Sequence, residues 1–285
     1  MFATRLLRSL RASPCYRTTP LTLRVPYTRG YAHTPEVPPV TATNRAEATL
    51  KRFWKTVAVE KYGADGRYAV TLDRRPLKTP SGNKVLLPDN KRLVATLIAS
   101  EWDNQEVLLK PHALPMTSIT ARAIDAMDDE ATRAEVRDAL LKYFDTDTIC
   151  FYSERPEHLT QLQKDHWDPL IDWARSHFDI EVYTTNTIMF SPQPDATKEV
   201  LDKVMQGFDR WQMAAMERAT YTTKSFLIAL ALVFKQVTAE QAALASQVEV
   251  SSQIKTWGEV EDSHDVDHHD VRRHLGSAAC ILSTL

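Results

Sequence analysis

Nine consecutive residues, Phe226 to Phe234, carry no polar side chain, and Lys224 and Lys235 stand close on either side. A bilayer span needs about 20 such residues, so this run reads as a segment of a water-free core. A segment that is apolar on every side has to be covered on every side. The rest of the chain must therefore supply a shell of amphipathic elements.

Most of that shell has a helical period. Val94, Ile98 and Trp102 recur every four residues with Leu97 beside them, and Asp89 stands where a helix cap belongs. Ala131 to Phe144 places Val136, Leu140, Leu141 and Phe144 on one face. Glu157 to Phe178 reads as one helix through Leu159, Leu162, His166, Trp167, Leu170 and Trp173. Another starts at Asp195 and runs over Lys198 to Trp211 through Val200, Val204 and Phe208. Thr238 and Gln241 form a capping-box pattern ahead of Ala242 to Ile254. Only 7 glycines in 285 residues also favour helices over a doubly wound sheet.

Extended segments concentrate earlier. Val57 and Val59 alternate with polar neighbours, as do Tyr68, Val70 and Leu72, with the turn Gly63-Ala64-Asp65-Gly66 between them. That pattern predicts a hairpin. Pro80-Ser81-Gly82-Asn83 turns the chain into a third run ending at Val85-Leu86-Leu87, and a short β-like stretch spans Ile180 to Phe190. The fold class expected is α+β: a small β-rich N-terminal domain (51–130) followed by a larger, mainly α-helical domain (131–285).

Residues before 51 read differently. Met1 to Pro35 holds six arginines and no Lys, Asp or Glu, with Phe2, Leu6, Leu7 and Leu10 on one face of a helix. Residues 1–31 therefore read as a mitochondrial transit peptide cut near Tyr31, and the proline-bearing 32–50 as a linker. Without those arginines, 29 basic residues face 37 acidic ones, a net charge of about −8. Such a chain is a poor partner for nucleic acid or anionic lipid. Cys150 and Cys280 have no metal-ligand spacing and read as ordinary thiols; Cys15 falls in the presequence.

Motifs of chemistry are sparse. No G-x-G-x-x-G, no phosphate loop, no G-x-S-x-G and no H-E-x-x-H occurs. The densest polar cluster is Glu259, Glu261, Asp262, His264, Asp265, Asp267, His268, His269 and Asp270. His264 and His268 lie one helical turn apart, so a metal-dependent hydrolase using His264, Asp265 and His268 is one reading; a solvated acidic helix start is the other. Glu101-Trp102-Asp103-Asn104-Gln105 reads as a ligand shelf or as a helix anchor. Pro115 to Thr120 resembles a helix entry capped by Thr117 or Ser118. Glu249, Gln253 and Trp257 repeat every four residues, and a Glu, an amide and a Trp on one stripe suit protein recognition.

Several segments, in order, carry a resemblance. They are Arg52-Phe53-Trp54-Lys55, Leu72-Asp73-Arg74-Arg75-Pro76-Leu77-Lys78-Thr79-Pro80, Glu101-Trp102-Asp103 and Pro115-Met116-Thr117. Trp257-Gly258 follows, then Glu261, His264-Asp265 and Leu275-Gly276-Ser277-Ala278-Ala279. Together they resemble the assembly chaperones of mitochondrial ATP synthase that hold the free alpha subunit of the F(1) sector. The resemblance runs from Arg52 to Ala279. It implies a small β domain with an α-helical domain, no catalysis, no cofactor, the alpha subunit as partner, and the mitochondrial matrix as compartment. The free protein is then expected to be monomeric. An acid in the helix before W-G matters in that family, and Glu249 matches it. Relatives carry more acids or an aromatic just after this position, where this chain has Val250-Ser251-Ser252. The expected partner-binding set is Glu249, Gln253, Trp257, Glu261, His264, Asp265 and Trp102. A general holdase, protecting unrelated proteins as well, is a further possibility.

Overall fold

A computed structural model describes residues 51–187 and 192–284. The expected transit peptide (1–31) and linker (32–50) lie outside the described residues.

Strands β1 (Val57–Tyr62) and β2 (Arg67–Leu72) form the expected hairpin, with Val57 opposite Leu72 and Tyr62 opposite Arg67. Gly63 and Gly66 both take positive φ at its turn, which glycine adopts without steric cost. β2 is central rather than half-exposed, because β3 (Arg75–Pro76) and β4 (Leu86–Leu87) both pair with its other edge. Ala69, Val70, Thr71 and Leu72 are consequently all buried. Alternation in the sequence did not reveal β3. The strand is two residues long and hangs on a tight turn whose central residues, Asp73 and Arg74, both have φ > 0. Asp73 holds that turn by accepting the N–H groups of Lys55 and Thr56 and the Thr56 hydroxyl. These bonds hold its carboxyl below the usual range.

Helix α1 (Arg92–Asp103) lays Val94, Ile98 and Trp102 against β1 and β2. Asp89 does not cap it. The chain enters through a 3₁₀ turn, Asp89–Lys91, and Lys91 immediately precedes the helix. The Lys91 ammonium is buried and donates to the carbonyls of Ile281 and Ser283, tying the last turn of the C-terminal helix to the entry of α1.

The helices continue as α2 (Pro115–Asp125), α3 (Glu130–Asp145), α4 (Glu157–His166), α5 (Asp168–Phe178), α6 (Asp195–Gln206), α7 (Arg210–Thr223), α8 (Phe226–Val233), α9 (Ala239–Ser246), α10 (Val248–Trp257) and α11 (Glu261–Ile281). Every residue of α8 is buried, packed among α3, α5, α7 and α9, as the apolar run requires. One continuous core of buried side chains runs from Trp54 to Leu282. Cys150 is buried and Cys280 half-buried, and burial raises both thiols.

Three expected helices are broken in two. Glu157 to Phe178 divides at Trp167, because Pro169 lacks the N–H that a continuous helix would use. Asp195 to Trp211 divides after Gln206. Asp209 there starts α7 with a complete capping box through Gln212. Leu201 and Met205 are buried on this face, with Val200 and Val204 packed beside them. The Thr238–Gln241 capping box is present, yet its helix divides at Gln247. That side chain is held by α11, accepting from Arg272 and donating to Asp267. The stretch Ile180 to Phe190 forms no strand over 180–187; its ladder contact is the single bridge between Phe151 and Thr185, and 188–190 lie outside the described residues.

Candidate functional site: an acidic groove with an exposed tryptophan

Helix α10 shows the molecule two kinds of face. Val248 and Ser252 are buried, whereas Glu249, Gln253 and Trp257 are exposed. All three line an open groove of about 920 Å³. Its opposite wall is Ser153 to Glu157 together with Leu159, where the chain enters α4. His158 joins the walls: its Nε2 lies 3.2 Å from both the Ser252 carbonyl oxygen and the Thr256 hydroxyl.

Trp257 is 79% exposed, an unusual position for so large an apolar surface. Local chain geometry puts it there. It is the last residue of α10, whose closing bond runs from Gly258 N–H to the Ile254 carbonyl. Gly258 has φ +88, ψ 168, a conformation open essentially to glycine alone, and it turns the chain away before any side chain covers the indole. Val260 follows, also exposed, and α11 begins. The Val260 N–H donates to His264 Nδ1 at 2.9 Å, closing the first turn. The W-G-x-x-E-x-x-H spacing is thus a helix stop followed by a helix start.

That bond bears on the hydrolase reading. His264 spends its Nδ1 lone pair on the backbone, and His268 and His269 meet edge to face. No group of three or more His, Cys, Asp or Glu side chains is placed to hold a metal among the described residues. Glu261 and Asp262 occupy the first turn of α11, where acids complement the helix dipole.

The remaining expected residues divide. Glu261, His264 and Asp265 sit on α11, beyond the residues that line the groove. Trp102 lies elsewhere and offers a partner no surface: it is 9% exposed, tilts against Trp54 and donates its indole N–H to Thr117 Oγ1. Of the two readings of that segment, the helix anchor is the one the packing supports. Glu101 is part of the same anchor. Its carboxylate accepts the N–H groups of Met116 and Thr117 and the Thr117 hydroxyl, capping α2 from a neighbouring helix. Neither Thr117 nor Ser118 caps its own helix as expected, since Pro115 takes the first position and Leu114 precedes it. Burial raises the Glu101 carboxyl despite these bonds.

A larger groove, about 1000 Å³, lies among α2, α7 and α11. Its charges are partly matched: Asp270 lies 3.4 Å from His274, whereas Asp125 and Asp267 accept from neutral groups. Arg122 makes two bonds to the Glu217 carboxylate, and Arg218 donates to Ser118 and bonds His274. In the α4–α10 groove, neither Glu157 nor Glu249 forms an ion pair among the described residues. The exposed indole beside unpaired carboxylates makes this the candidate recognition surface. Sequence reading found the α10 wall by its period. It missed Glu154, Pro156, Glu157 and Leu159 as groove residues: they stand roughly ninety residues earlier, and Leu159 entered only as part of the apolar stripe of its own helix.

The sequence profile of the ATP12 chaperone protein family matches residues 51–175. Protein atp12, mitochondrial, of Schizosaccharomyces pombe is 32% identical over 243 residues, covering 82% of this chain and 83% of the relative. The chain belongs to the ATP12 chaperone family. Protein ATP12, mitochondrial, of Saccharomyces cerevisiae is 30% identical over 278 residues, covering 84% and 86% of the two chains. The crystal structure of Atp12 from Paracoccus denitrificans superposes with a TM-score of 0.69 at 26% identity, covering 82% of this chain and 100% of that one. The resemblance read from the motifs therefore holds, and with it a chaperone of ATP synthase assembly in the mitochondrion. The ATP12 profile ends before α10, so it matches one wall of the groove and stops short of the other.

Proposed function

We propose that this chain is a non-catalytic chaperone of the mitochondrial matrix that holds the unassembled alpha subunit of F(1) in the α4–α10 groove. The observation that carries the reading is Trp257, largely exposed at the mouth of a groove bearing Glu249 and Gln253. A lone alpha subunit exposes contact surface that its neighbours cover in the finished enzyme, and such surface aggregates. Trp257 supplies apolar area to cover it, and Glu249 supplies orientation. Glu261, His264 and Asp265 lie beyond the groove on α11 and are proposed as further contacts of the same client. Release requires that the incoming subunit win the competition, which calls for moderate affinity.

The test is capture of alpha by purified protein. Glu249→Lys is expected to lower recovery while leaving the far-ultraviolet circular dichroism intact, since the side chain is exposed. Undiminished co-purification would remove Glu249 from the site. A general holdase would protect an unrelated aggregating protein as well as it protects alpha; protection of alpha alone is expected.

A further inference from the structure

The charge around the groove is one-sided. Glu154, Glu157 and Glu249 line it against a single cation, Arg155, and all four are exposed. Glu154 accepts one neutral bond, from the Asn186 amide, and none of the three carboxylates has an ion-pair partner among the described residues. Between the acids, Pro156, Leu159 and Trp257 give the groove apolar surface. Its volume of about 920 Å³ lies at the upper end of the range of about 300–1,000 Å³ typical of ligand sites, enough for a few side chains rather than a whole protein face.

Placement in first turns explains part of this pattern. Glu157 opens α4 and Glu249 opens α10, and an acid there complements the helix dipole. The dipole does not account for both helix starts facing one cleft, or for the exposed indole that lines the same groove. We infer that the groove selects a cationic amphipathic segment of the client, a short stretch carrying lysine or arginine beside an apolar side chain, and that Glu154 and Glu157 are specificity residues of the site. The apolar side chain packs on Trp257 and Leu159. The cation meets Glu157 across the groove from Glu249, so the two walls share one charge. An acidic segment would be repelled by three carboxylates, and an uncharged one would leave them unsatisfied.

This inference rests on the proposed reading of the groove as the alpha-subunit site, and the experiment separates the two. Alpha subunit synthesised in vitro is captured on the purified protein at roughly 50 mM and 500 mM salt, where screening lengths differ severalfold. The variants are Glu154→Lys, Glu157→Lys, Glu157→Gln and Glu249→Lys, each checked by its thermal midpoint. Wild-type capture is expected to fall several-fold at high salt. At low salt each lysine variant is expected to weaken capture by roughly three- to tenfold, with Glu157→Gln falling between it and wild type. Wild-type recovery by folded Glu154→Lys and Glu157→Lys, with loss only in Glu249→Lys, overturns the cationic-segment inference and leaves the alpha-subunit reading standing. If Glu157→Lys fails to fold, Glu157→Gln decides: unchanged, salt-independent capture overturns the inference. No capture of alpha by the wild type overturns both.

Discussion

Asp147 is fully buried, yet it does not lack partners: its carboxylate accepts the N–H groups of Ile149 and Leu227. The second of these bonds reaches the first turn of α8, so one side chain fixes the start of the buried helix. Burial pushes the carboxyl from its ordinary 3.8 up to about 6. A raised folded value favours the protonated native state. The stability it lends is therefore present below about pH 4 and lost as pH rises through about 6. The difference in unfolding free energy between wild type and Asp147→Asn is expected to shift by roughly 3 kcal/mol across that window, the wild type being relatively stronger at pH 4. Denaturant titrations at pH 4 and pH 7 measure it; a difference independent of pH would contradict the assignment. Trp257 is the opposite kind of residue. Being largely exposed, it contributes little to the fold, so Trp257→Ala is expected to leave the thermal midpoint unchanged while weakening client binding by about 2 kcal/mol, roughly thirtyfold. At this scale the sequence was informative where a residue repeats with a period and silent where burial decides. Nothing in the chain around Asp147 announces a carboxylate without water, and Trp102 and Trp257 are alike as letters although one is core and the other surface.

Elements were legible in proportion to how local their causes are. The hairpin, the buried helix α8 and the Thr238–Gln241 cap follow from neighbours in the chain. The breaks at Trp167 and Gln206 had local signals in Pro169 and Asp209, outweighed by apolar spacing that runs across them. The break at Gln247 had none; its side chain is bonded by Arg272 and Asp267 of another helix. Glu101 makes the same point, capping α2 from α1. Glu101→Ala would strand two backbone N–H groups at a partly buried helix start, and it is expected to destabilise the protein by about 1–3 kcal/mol in urea titrations. Loss of less than about 0.5 kcal/mol would show that water replaces the cap. For α8 the expected effect is larger. Leu230→Ala removes a fully buried side chain between helices and is expected to cost about 2–5 kcal/mol by the same measurement.

Over the described residues, neither wall makes the α4–α10 groove alone. The core that begins at Trp54 and ends at Leu282 holds α4 and α10 in place, and His158 joins them at the groove. The α10 wall could be read from the spacing of Glu249, Gln253 and Trp257. Its counterpart could not, since Glu154 and Glu157 join it through folding across roughly ninety residues. Holding the free alpha subunit during ATP synthase assembly is the role we propose for this groove. The most direct measurement compares wild type with Trp257→Ala in pull-downs from mitochondria depleted of the beta subunit, where unassembled alpha accumulates. Alpha is expected on the wild type, with a severalfold loss on the folded variant; equal recovery on both, or none on the wild type, would remove the groove as the holding site.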